Sequence, residues 1–152
     1  MYKFFIDISE VPEDIELEVQ GFKPFNKKRF IESAKKYVDR ERKTEYAFYG
    51  TGDKSNNGLF HYFKEEPQNG YEGFFFVLEL SSTSLLLAIT EGIQIAEKLQ
   101  VNCFEILEGP IPVCYMYLIQ EWTLILENSK YRDILSIYQK NKLDLKDYHP
   151  DV

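Results

Sequence analysis

The chain has 152 residues, 44% of them hydrophobic and 16% aromatic, and carries 25 acids against 18 bases for a formal net charge of −7. That apolar content suits a single globule removing roughly 70% of its unfolded surface from water, and it argues against disorder, which goes with few aromatics. The acid excess argues against nucleic acid and against an anionic membrane surface, because phosphate is bound by clustered Lys and Arg.

Residues 2–8 read as a first strand; the apolar start is too short for an export signal and is closed by Asp7. The run Asp14-Ile15-Glu16-Leu17-Glu18-Val19 then alternates acid and hydrocarbon strictly, the period of a half-buried strand. It predicts a strand over residues 15–20, with Ile15, Leu17 and Val19 inward and Asp14, Glu16 and Glu18 in line on the outer face. Glu10 and Glu13 lengthen the negative stretch, and no base occurs between Asp7 and Glu18. The spacing of Phe30, Ile31, Ala34, Tyr37 and Val38 predicts a helix over residues 27–42, capped by Asn26. This helix is basic, in an otherwise acidic chain. Lys27, Lys28 and Arg29 in its first turn oppose the helix dipole, and the acidic row is expected to lie alongside and neutralise them.

An aromatic meander follows over residues 46–49, 59–63 and 74–80, with turns at Asn57-Gly58 and Pro67-Gln68-Asn69-Gly70. Phe60 and Tyr62 fall on one face of the middle strand, Leu59 and Phe63 on the other, so the sheet needs cover on both sides, from helices or from a partner. Ser81-Ser82-Thr83-Ser84 offers N-caps for a helix reaching Leu99, with Ile89, Ile93, Ala96 and Leu99 inward and Glu91 and Glu97 toward water. Residues 102–107 read as a strand. In residues 113–126, Cys114, Leu118, Glu121 and Ile125 fit a helix opened by Pro112, while the β-branched and aromatic content also suits a strand; a helix is expected. Gln120 and Glu121 near its middle make this a core element, not a membrane span. Tyr131, Ile134, Leu135 and Tyr138 mark a last amphipathic helix. The expected fold is α+β, with a mixed or antiparallel sheet around a central aromatic meander, packed by three to four helices. One domain is expected over residues 1–142, with a polar tail over 143–152.

Chemistry-bearing residues are sparse. Two histidines, His61 among rings and His149 in the tail, have no spacing with Cys103 or Cys114 that suits zinc. The cysteines are expected to be reduced, cytosolic thiols and His61 a core residue. Gly50-Thr51-Gly52-Asp53-Lys54-Ser55 resembles a phosphate loop superficially, yet Asp53 stands where the Walker pattern needs glycine, so it reads as a polar hairpin loop. Glu65, Glu66, Glu72, Glu79, Glu105 and Glu108 form no recognisable acid–base pair.

These features fit a cytoplasmic, non-catalytic binder for a basic protein, without cofactor or metal. Its contact carboxylates are expected to be Glu13, Asp14, Glu16, Glu18, Asp53, Glu65, Glu66 and Glu72. In size, in the Asp14-Ile15-Glu16-Leu17-Glu18 row with its acidic body, and in lacking catalytic motifs, the chain resembles bacterial toxin-immunity proteins. That resemblance implies a protein partner, such as a toxin nuclease with a basic active site, and activity by occlusion. The alternative is a small enzyme or ligand-binding domain with an aromatic-lined pocket near His61; a homodimer hiding aromatic surface on itself is a third reading.

Overall fold

Runs of period two pair as strands, and runs of period 3.6 pack on them, in both units into which the chain divides: residues 6–78, and residues 1–5 with 79–152. The computed structural model describes residues 1–17, 25–49, 58–66, 69–118 and 122–126. The chain opens on β1 (Tyr2–Asp7) and a 3-10 turn (Ile8–Glu10).

In the unit of residues 6–78, β2 (Glu16–Leu17) pairs antiparallel with β3 (Phe25–Asn26) and leads into α1 (Lys27–Glu41). The Asn26 side chain accepts from the Arg29 amide at 2.9 Å, and the helix ends on Arg42 in a left-handed conformation. Next come β4 (Glu45–Tyr49), β5 (Gly58–Phe63) and β6 (Gly73–Glu79), paired antiparallel in that order as the expected meander. Phe30, Ala34 and Val38 of α1 are buried, and the Phe30 ring lies 5.3 Å from Phe60 and 6.1 Å from Phe74. Phe60 stacks in turn on Phe76 at 4.7 Å.

In the other unit, β1 pairs with β7 (Cys103–Glu108), β7 with β8 (Ile111–Leu118) and β8 with β9 (Trp122–Leu126), all antiparallel. Between residue 79 and β7 runs α2 (Leu85–Leu99), capped by Ser84, whose hydroxyl accepts from the Leu87 amide at 3.2 Å. Ile89, Ile93, Ala96 and Leu99 are buried as their spacing predicts.

Two expectations need correction. Residues 113–118 and 122–126 are not helical: they contribute the β8–β9 pair, with Cys114, Met116 and Leu124 buried and Ile125, placed inward by the helical spacing, 43% exposed. Pro112, the expected helix start, sits opposite Leu107 where the register shifts, a place in a sheet that tolerates a residue without an N–H. The count of three to four helices is not reached among the described residues, whose α-helices are α1 and α2. The expected helix around Tyr131 and Tyr138, and the tail 143–152, lie outside those residues. Finally, Glu91 does not face water. It is 9% exposed, because α2 is buried on almost every side, and its carboxylate accepts from Ser82 Oγ at 2.8 Å and Ser81 Oγ at 3.1 Å. Both Ser amides also donate to it, each at 3.3 Å, which meets the desolvation cost of the charge. The outcome is α+β, with antiparallel pairing in each unit. Among the described residues, no helix is long and apolar enough to cross a membrane.

Gly92 marks the tightest approach of α2 to its sheet, since a Cβ there would lie 2.6 Å from Cε2 of Phe104. That ring is 2% exposed and stacked on Phe4 at 5.3 Å, so it has nowhere to move. Alanine in a helix interior ordinarily gains about 1 kcal/mol over glycine. Here overpacking reverses the sign, and Gly92→Ala is expected to lower stability by about 1–3 kcal/mol. A urea midpoint equal to or above that of the wild type would contradict the close approach.

Candidate functional site

The acidic segment is built on three buried hydrocarbon anchors. Ile8, Val11 and Ile15 are at most 7% exposed, whereas Glu10, Pro12, Glu13 and Asp14 are exposed. Asp7 Oδ1 accepts from the Ser9 amide at 2.9 Å, and the Val11 amide donates to the Ile8 carbonyl at 3.0 Å, closing the short turn. The alternation around residue 15 thus holds where it is described: Ile15 in, Asp14 out. β2 itself spans Glu16–Leu17, with Glu16 opposite Asn26 in the register. The Glu16 side chain and all of Glu18 lie outside the description, as does Asp53 with its Gly50–Ser55 loop. Lys27, at the first residue of α1, reaches the main-chain oxygens of Val11 at 2.9 Å and Ser9 at 3.3 Å. The contacts described are carbonyls of the same segment; the expected neutralisation by Glu16 and Glu18 falls on side chains outside the described residues.

The β5–β6 turn gathers Glu65, Glu66 and Glu72. The Gly70 amide donates to the Glu66 carbonyl and the Glu66 amide to the Tyr71 carbonyl, both at 2.7 Å. Asn69 donates to the Glu66 carboxylate at 2.7 Å and accepts from the Tyr71 amide at 2.9 Å. Gly70 adopts φ +72°, a left-handed conformation that glycine takes without strain. Glu65 is exposed and Glu66 half-buried, and Tyr71 between them and Glu72 is 75% exposed. Glu72 is committed to the fold: one oxygen accepts from the Tyr62 hydroxyl at 2.9 Å, and the other pairs with Lys35 at 3.4 Å. Among the described residues, no hydrogen bond or ion pair links this turn to Glu13 or Asp14.

His61 lies on β5 opposite Ala47, half-buried, stacked on Phe63 at 4.0 Å and 3.2 Å from a Glu45 carboxylate oxygen. It is therefore a partly exposed residue with a carboxylate partner, not the core histidine expected. Neither Cys103 nor Cys114 is in a disulfide; the first is half-buried and the second buried. Burial pushes the Cys114 thiol up to about 12, away from the thiolate that nucleophilic chemistry uses. Glu79, Glu105 and Glu108 are half-buried, and His149 lies outside the described residues. Comparison with family models, with curated proteins and with solved structures finds no match to this chain.

Two residues escaped the sequence reading. Tyr71 stands beyond the Pro67–Gly70 turn signal and before the strand-like run, and its signal is an aromatic residue between acids in a turn. Lys27 looks like one cation among several, and nothing in the linear pattern marks the carbonyls it reaches.

Tyr62 generates a prediction at high pH. Its phenol is pushed up to about 12 from 10.0, first by burial, then by the hydrogen bond to Glu72 and the negative charges of Glu72 and Asp39. Between those values the unfolded chain releases a proton that the folded chain keeps. The contribution to stability is therefore complete below pH 10.0 and is lost as pH rises toward 12. Tyr62→Phe is expected to lose stability less steeply across this window. In Glu72→Gln the Tyr62 titration, read as the phenolate absorbance missing from the same variant with Tyr62→Phe, should move down. A titration that stays in place would remove Glu72 from the causes.

Proposed function

We propose that this chain is a cytoplasmic, non-catalytic protein-binding domain of the immunity type, which occludes a basic partner such as a toxin nuclease through displayed carboxylates. The observation that carries the reading is the acidic segment, where Glu10, Glu13 and Asp14 are exposed while Ile8, Val11 and Ile15 between and around them are buried. Charges held on an anchored segment lose little conformational freedom on docking, and a field of one sign steers a basic partner into place. Tyr71, in the same turn as Glu65, adds an exposed aromatic of the type that anchors interfaces. Glu72 is a weaker contact candidate, because its oxygens already serve Tyr62 and Lys35. The reading needs no cofactor.

One observation favours a second reading, a ligand-binding or catalytic pocket: the His61 ring, half-buried against Phe63, with Glu45 at 3.2 Å. A histidine oriented by a carboxylate is a recurring element of acid–base sites.

Capture from a lysate of the source organism separates the two, using the full chain and the double variant Glu13→Lys, Asp14→Lys as baits. A basic protein retained at low salt and shed as salt rises is expected on the wild type, with retention reduced roughly tenfold or more on the variant. Equal retention on both baits would defeat the acidic contact. A small molecule co-purifying in place of a protein, and lost from His61→Ala, would establish the second reading instead.

A further inference from the structure

A lysine at the first residue of a helix sits against the positive end of the helix dipole. Lys27 resolves that conflict by folding back: half-buried, it donates to the Val11 and Ser9 carbonyl oxygens at 2.9 and 3.3 Å. One ammonium spans two carbonyls two residues apart, and the residue between them, Glu10, is exposed. The Asp7 cap and the Val11-to-Ile8 hydrogen bond close the turn from the other side, and Pro12, Glu13 and Asp14 follow it directly. Among the described residues the cation thus serves main-chain oxygens of the segment, and no ion pair ties it to Glu10, Glu13 or Asp14.

We infer that Lys27 is a positioning residue: its ammonium clamps the turn at residues 9–11 and so sets where Glu10, Glu13 and Asp14 are displayed. Its functional consequence rests on the acidic-contact reading above; the clamp itself does not. A charge-only view gives the opposite sign for its removal, because deleting a base leaves the chain more negative and should favour a basic partner.

Limited digestion of the full chain with a glutamate-specific endoprotease tests the clamp without any partner. Cleavage after Glu10 and Glu13 is followed relative to cleavage after Glu97, an exposed residue of α2. In Lys27→Met the ratio is expected to rise roughly tenfold, the loss of a charged hydrogen-bond donor read as local opening. In Lys27→Arg, which keeps charge and donors, the ratio should return close to that of the wild type. No rise, an equal rise at Glu97, or an Arg variant as labile as the Met variant would each overturn the clamp. As a bait, Lys27→Met should retain less than the wild type of the salt-sensitive lysate protein, despite its extra negative charge; greater retention would overturn the positioning role. If the bait reversed at Glu13 and Asp14 retains that protein undiminished, the acidic-contact reading falls while the digestion still decides the clamp.

Discussion

Phe30 settles the geometry of the unit formed by residues 6–78. Its ring lies against Phe60 and Phe74, and burying one such ring contributes about 1.5–3 kcal/mol, so the rotation of α1 about its own axis is fixed by this contact. In a helix the residue three positions earlier shares that face. Lys27 is therefore turned inward, half-buried, to where the carbonyls of Ser9 and Val11 stand. At the rim of the same face Lys35 lies over the Phe74 ring at 5.9 Å and reaches Glu72 at 3.4 Å. One aromatic anchor thus decides which of the helix bases serve the fold. Lys28 and Arg29, on the far side, remain exposed.

What was legible in the sequence follows from local rules. Asn26 and Ser84 cap the two helices because each places a side-chain oxygen where a free amide needs an acceptor. The apolar stripes of α1 and α2, and the alternation of Phe60 and Tyr62 in β5, appear in the structure as read. Residues 113–126 show where such rules stop. Cys114, Leu118 and Ile125 satisfy helical spacing, yet Cys114, Met116 and Leu124 are what the pairing of β7, β8 and β9 buries. Short apolar runs carry both periods, and only the partner strands choose between them. Glu91 illustrates the same limit for charge: its burial depends on four donors from Ser81 and Ser82, whose convergence no periodicity records.

The candidate site was legible to the same degree. Charge can be read from a linear sequence; whether a carboxylate is displayed or committed cannot. Glu13 and Glu72 look alike on paper. One is exposed beside a proline on an anchored turn, and the other holds a buried phenol and a lysine. The difference comes from the β5–β6 register: Tyr62 stands opposite Phe74, two residues beyond Glu72, which brings the Glu72 carboxylate within reach of the Tyr62 hydroxyl, a placement set by register and not by composition.

This distinction bears directly on what an acidic domain can present to a partner. A carboxylate already bonded by the fold must surrender those bonds to dock, and the loss cancels much of the gain. A carboxylate whose neighbours' main-chain oxygens, and not itself, take up the nearest cation keeps its full charge for a partner. At the N-terminus of α1 the fold sends Lys27 to carbonyls; at the β5–β6 turn it sends Lys35 to a carboxylate. Among the described residues the same helix therefore pairs with a carboxylate at one acidic place and with main-chain oxygens at the other, and that asymmetry is the physical reason to locate the proposed contact at residues 10–14.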